Sequence, residues 1–268
     1  MANTTWNPSD FTNITLSNGN LTANFTIGGN GGVRSIARAS VGKRYWEVTA
    51  TNWSGAPSSG IGIANGLATT SNGIASLINA SAVLSSGDIW VNGSAAPGNP
   101  TLGARANGDI IGIALDLDNK LIWYRVAPAG SWNGSGTANP ATGIGGVDIR
   151  AINPDSFFLP VYALLRGAPG GSATVVTANF GNSAFSGAVP AGFASGFSDV
   201  SPPLAIAAAG EAREILFSTT PPLSTSGMAR EVLLATPTAL TVSTVVREVL
   251  LLGPVAVPQQ TSVSVIVS

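Results

Sequence analysis

Short alternating runs, each closed by a turn signal, set the character of roughly the first 200 residues. In Arg44-Tyr45-Trp46-Glu47-Val48-Thr49, alternation puts Tyr45, Glu47 and Thr49 on one face and Trp46 and Val48 on the other. Gly60-Ile61-Gly62-Ile63-Ala64 and Asp88-Ile89-Trp90-Val91 are further short runs, as are Phe157 to Leu165 and Thr174 to Phe180. Asp109 to Leu117 turns at Asp118-Asn119 into Lys120 to Arg125, which predicts a hairpin. Asn18-Gly19, Gly28-Gly29-Asn30-Gly31, Asn92-Gly93 and Asn107-Gly108 supply the other turns. Many short strands with almost no helical periodicity predict an antiparallel β-sandwich over residues 1–200. Trp46, Trp90, Trp123, Phe158 and Phe180 fall in strand patterns and are expected in its core.

After Ser201-Pro202-Pro203 the pattern changes. Ala212-Arg213-Glu214-Ile215-Leu216 recurs as Ala229-Arg230-Glu231-Val232-Leu233 and as Val246-Arg247-Glu248-Val249-Leu250, at a period of 17. A fixed short period means one small unit used repeatedly, each copy burying its apolar residues against the next. Proline turns at Pro221-Pro222, Pro237 and Pro254 reset an odd period, so each unit reads as strand, turn, strand. Ser226 to Ala235 also offers a capped short helix, but isolated helices of that length are marginal, and the Val/Thr content nearby favours strands. Both faces of these strands are mostly apolar. Residues 201–268 are therefore expected to form a β-repeat stalk in which three chains share an interior. Arg213, Glu214, Arg230, Glu231, Leu233, Arg247, Glu248 and Leu250 would lie at that interface. The alternatives are a repeat folded back on its own head, or one docked on another protein.

Composition narrows the function. Only 9% of residues are charged and the net charge is −1, against about 25% charged in ordinary soluble domains. No basic face exists to neutralise phosphates, so nucleic acid is not an expected partner. The chain has no cysteine and no histidine, which removes the usual parts of zinc sites, thiolate nucleophiles and Ser-His-Asp relays. The first residues carry neither a basic region nor an apolar run, and no stretch approaches about 18 apolar residues. No secretory signal, membrane partner, metal or cofactor is expected.

Gly42-Lys43-Arg44-Tyr45-Trp46-Glu47-Val48, Gly60-Ile61-Gly62-Ile63-Ala64, Gly108 to Asp118, Phe157-Phe158-Leu159-Pro160-Val161 and Ala178-Asn179-Phe180-Gly181 stand in the order seen in SPRY domains. Phe185 and Pro190-Ala191-Gly192-Phe193 fit the close of that pattern, and the motifs cover about residues 1–195. The chain is similar to SPRY-like proteins of bacteriophages, whose opening resembles Thr5-Trp6-Asn7-Pro8-Ser9-Asp10. The resemblance implies a concanavalin-like two-sheet sandwich that binds partners through loops at one edge. It implies no catalysis and no particular ligand.

Four chemical readings compete with bland ones. Asp116 and Asp118 share a strand face and, with Asn119, resemble a calcium site; a hairpin turn with Asp116 accepting hydrogen bonds explains them better. Glycoside hydrolysis needs two facing carboxylates, whereas Glu47 is the one glutamate of the head. Gly28 to Gly32 lacks the Lys-Ser/Thr of a phosphate loop. Trp53 and Trp132 lie in polar, glycine-rich loops, where a flat apolar face can stack on a sugar or seat a protein. The competing reading folds each back over the end of the sandwich. Trp53, Trp132 and Asn133 are the candidate ligand-binding residues.

The function expected from these readings is a phage virion structural protein, a tail or head fibre. Its sandwich head binds a host surface glycan or protein, and its other partners are copies of itself in a homotrimer and further virion proteins. The alternative is a capsid decoration or connector protein with a purely architectural role. A glycan-degrading enzyme is the third and weakest reading.

Overall fold

Strand alternation builds the head by sending one set of side chains inward from each of two sheets. The computed structural model describes residues 4–25, 30–53, 59–71, 78–152, 161–167 and 174–198, with six short strands between 215 and 267. The chain forms two units, Met1–Val200 and Ser201–Ser268.

The first unit runs through β1 (Trp6–Thr12), β2 (Ile14–Ser17), β3 (Thr22–Phe25), β4 (Gly31–Ser35) and β5 (Lys43–Asn52). It continues through β6 (Ser59–Asn65), β7 (Ala80–Leu84), β8 (Ile89–Val91), β9 (Ser94–Ala95) and β10 (Ile110–Asp116). It closes with β11 (Leu121–Ala127), β12 (Val147–Asp148), β13 (Val161–Gly167), β14 (Val175–Asn179) and β15 (Ala194–Ser195). One sheet has the order β1-β4-β13-β6-β7-β8-β9, the other β12-β11-β10-β5-β14-β3-β2. The pairs are antiparallel except for the short parallel bridge of β15 onto β5.

Trp46 and Val48 of β5, with Ile111, Ile113 and Leu115 of β10, meet Val33, Ile61, Ile63 and Val83 of the facing sheet in one buried core. Aromatic edges tie the first and last segments of this unit into it. Trp6 meets Phe180 at 5.0 Å between ring centroids, and Trp46 meets Phe197 at 4.9 Å. Such T-shaped pairs add to plain area burial. Trp46, Trp123 and Phe180 are fully buried. Trp123, however, lies in a second cluster with Tyr45, Ala114 and Phe193, outside the intersheet core. Trp90 is only half-buried, and Phe158 lies outside the described residues.

The β10–β11 hairpin forms at the expected place, with Asp116 opposite Leu121. Asp116 organises its turn: Oδ1 accepts the backbone N–H of Asp118 (3.1 Å) and of Asn119 (3.0 Å), and Oδ2 accepts Asn119 Nδ2 (2.8 Å). Lys43 Nζ sits 2.9 Å from Oδ2. Burial works to raise the Asp116 pKa, but Asn119 and Lys43 outweigh it and hold the carboxyl below its ordinary range. Its oxygens are committed to the turn, as the hairpin reading required.

In the second unit, β16 (Ile215–Phe217), β18 (Val232–Leu234), β20 (Val249–Leu251) and β21 (Val265–Val267) form a four-stranded sheet. The strands β17 (Leu223–Thr225) and β19 (Leu240–Val242) form a second sheet. All pairs are parallel, and Ile215↔Val232, Val232↔Val249 and Leu223↔Leu240 carry the sequence period straight into the register. Each repeat thus stacks on the next within one chain. Leu233 and Leu250 pair with each other in register. Arg213, Glu214, Arg230, Glu231, Arg247 and Glu248 lie outside the described residues.

Candidate functional site

The outward face of the eight-stranded sheet brings together residues that the sequence spreads over 140 positions. Register places Asn179, Glu47, Gly112 and Arg125 in one row across β14, β5, β10 and β11, and Tyr45, Ala114 and Trp123 in the next. Two loops cover these rows, one leading from β11 to β12 and one following β14.

Glu47, almost fully buried, clasps the second loop. Its carboxylate accepts the Tyr45 hydroxyl at 2.6 Å and the backbone N–H groups of Ser186 and Gly187 at 2.8 Å each. Arg125 holds the same loop from the other side, donating Nη2–H to the Ala188 carbonyl at 2.7 Å and more weakly to the Tyr45 hydroxyl at 3.4 Å. Burial pushes the Tyr45 phenol well above its usual pKa, with the Glu47 carboxylate adding to the rise and Arg125 opposing it. Tyr45 therefore stays a neutral bridge between a buried anion and a buried cation. Gly112 makes this possible: a Cβ there would sit 2.7 Å from the Tyr45 hydroxyl.

The first loop carries Trp132 in a short 3-10 turn, Trp132–Gly134. Asn133 fastens that turn to β11. Its Oδ1 accepts the Tyr124 backbone N–H at 2.8 Å, while Nδ2 donates to the carbonyls of Gly145 (2.9 Å) and Ile122 (3.3 Å). Its φ of 48° lies in the left-handed region that asparagine tolerates. Trp132 is left half-buried, with the Arg125 guanidinium 4.4 Å from its ring centroid and the edge of Tyr45 at 6.3 Å. Phe185, also half-buried, meets Tyr45 at 5.1 Å, and Val189 packs on the same cluster. Trp132, Phe185 and Val189 thus frame a partly exposed apolar patch on a rigid base.

Of the three residues expected from sequence, only Trp132 offers an accessible face. Trp53 is 6% exposed and belongs to the intersheet core, its backbone N–H held by Asn107 Oδ1 at 2.7 Å. Its polar neighbours misled, because the ring turns inward from the end of β5. Asn133 is buried and spends its amide on the backbone, so it positions Trp132 and presents nothing itself. Sequence reasoning missed Tyr45, Phe185 and Arg125. The alternation of β5 put Tyr45 and Glu47 on the face opposite Trp46, but did not reveal which loops would close over them.

No family model matches the chain, and no curated protein does. Among solved structures, the chain is similar to the SPRY domain of human HERC1, at 15% identity over 65% of this chain and 96% of that one, with a TM-score of 0.49. It is similar to the TRIM65 PSpry domain at 15% identity over 66% of this chain and 92% of that one, TM-score 0.45. Stonustoxin matches at 13% identity and TM-score 0.44 over 66% of this chain, which spans 27% of the toxin chain.

Proposed function

We propose that the sandwich is a binding head in a bacteriophage virion protein, a tail or head fibre whose Trp132–Phe185–Val189 patch seats a component of the host cell surface. The observation that carries the binding reading is that patch: aromatic side chains half-exposed on loops fixed to the sheet by Glu47, Arg125 and Asn133. A pre-ordered aromatic patch with a guanidinium behind it binds with little loss of side-chain freedom. Support for the phage setting comes from the motif order and the opening residues of the sequence. The one glutamate of the face spends both oxygens on the loop and a tyrosine, which favours binding over hydrolysis.

Purified full-length protein tests this on a panel of whole bacterial cells and their isolated surface fractions. Binding to some member is expected, with a loss in Trp132→Ala and Phe185→Ala variants whose melting shows a folded head. Binding unchanged in both variants overturns the patch; binding to no member favours the architectural reading. A homotrimer through residues 201–268 remains part of the proposal, and light scattering reads it directly, with a monomer at micromolar concentration removing it. The architectural alternative, decoration or connector, draws support from the pairing of the repeat strands within one chain.

A further inference from the structure

The other half of the same outward face is partly exposed among the described residues. Register aligns Ser17 of β2, Thr22 of β3, Thr177 of β14 and Thr49 of β5, one from each of four neighbouring strands. Directly opposed residues point to the same side, and their strand neighbours Ala23, Val176 and Val48 are in the core, so the four hydroxyl residues face outward. Ser17 is exposed and the three threonines are half-exposed. Thr15 and Asn24, opposed in the next row, are exposed beside them. No charged residue stands among these six, in contrast to the buried Glu47 and Arg125 one row away.

We propose that this row binds a neutral polysaccharide lying across the strands, at a surface distinct from the Trp132 patch and independent of it. Strands stand about 4.8 Å apart, so four hydroxyls in a row span about 14 Å. That spacing offers one side chain per strand at an interval comparable to one pyranose ring. A hydroxyl donates once and accepts twice, so it pairs with sugar hydroxyls in either sense. The Thr22–Thr177 hydroxyl contact at 2.9 Å fixes the middle of the row; Thr22 Oγ1 also accepts a long contact from Asn18 Nδ2 at 3.5 Å, so the open acceptor capacity lies mainly on Thr177 and on the outer hydroxyls. An anionic or cationic ligand would find no counter-charge in the row. An apolar partner would strip water from hydroxyls and return no hydrogen bond. The match is to an uncharged ligand rich in hydroxyls.

Affinity gel electrophoresis of the full-length chain tests this, using gels containing a β-glucan, a galactomannan, a mannan or dextran, with alginate as the anionic control. The variant is Thr22→Val/Thr49→Val/Thr177→Val, which keeps the β-branched shape and removes both members of the Thr22–Thr177 bond together. Retardation in at least one neutral gel is expected. The triple variant, with an unchanged melting temperature, should bind about tenfold more weakly or worse, given the modest value of each hydrogen bond. Thr49→Val alone serves if the triple variant melts early. Trp132→Ala should be retarded like the parent even where its cell binding is lost, which separates this surface from the aromatic patch. Retardation in no neutral gel, stronger retardation in alginate, unchanged retardation in the Thr variants, or a loss confined to Trp132→Ala each overturns the proposal.

Discussion

The covered and partly exposed halves of one sheet face show how a single β-surface is divided by its loops. Over Tyr45, Glu47 and Arg125 the face is roofed, and the charges are spent inside, on a tyrosine and on loop backbone. Ser17 is exposed and Thr22, Thr49 and Thr177 are half-exposed, and these side chains are small, neutral and hydroxylated. Burial explains the contrast. A charge under a loop is stable only when fully partnered, so the covered half needs matched donors and acceptors. The open half has water as a partner and needs none.

The contrast predicts unequal sensitivity to substitution. The largest effect is expected from Glu47→Ala, which leaves the Ser186 and Gly187 N–H groups and the Tyr45 hydroxyl without their acceptor. A loss of about 3 kcal/mol in denaturant unfolding is expected; a loss below about 0.5 kcal/mol would show that the clasp contributes little. Gly112→Ala follows, because its Cβ meets the Tyr45 hydroxyl, and overpacking of this kind costs about 1–3 kcal/mol. A smaller cost of Gly112→Ala in a Tyr45→Phe background than in the parent would confirm that the hydroxyl is the obstacle.

Acid provides a third test, at the hairpin end of the covered half. The folded-state pKa of Asp116 is depressed by Asn119 and Lys43. Its contribution is therefore present above the unfolded value near 4 and lost as pH falls through the folded value. Melting temperatures measured from pH 7 down to pH 2.5 should fall below about pH 4. Asp116→Asn should melt lower at pH 7 and show a shallower acid decline; an identical decline in both proteins would locate the acid sensitivity elsewhere. The smallest effect is expected on the partly exposed half, where Thr177→Val should change stability by no more than about 0.5 kcal/mol. A larger loss would mean that the hydroxyl row is a structural element and not an open surface.

Much of the architecture is legible in the sequence. Alternation in β5 sorted Trp46 and Val48 from Tyr45 and Glu47, and the Asp118-Asn119 signal marked the β10–β11 hairpin, because both are local consequences of strand pleat and turn chemistry. The tryptophans were harder. Trp53 and Trp132 sit in equally polar surroundings, yet one ring turns into the core and the other rests half-exposed on Arg125. Neighbours in sequence do not encode which way a loop folds.

The 17-residue period and the alternating faces belong to the sequence itself, since both arise from residue order over a few positions. Strand partners, by contrast, come from chain segments far apart, and only the folded sheets brought Glu47 to Ser186, Arg125 to Ala188 and Thr22 to Thr177. The repeat unit shows the same division. Residue order set the interval, while backbone pairing decided that each copy stacks parallel on the next within one chain. Long-range pairing depends on the shape of the whole fold, and no single stretch of residues carries that shape.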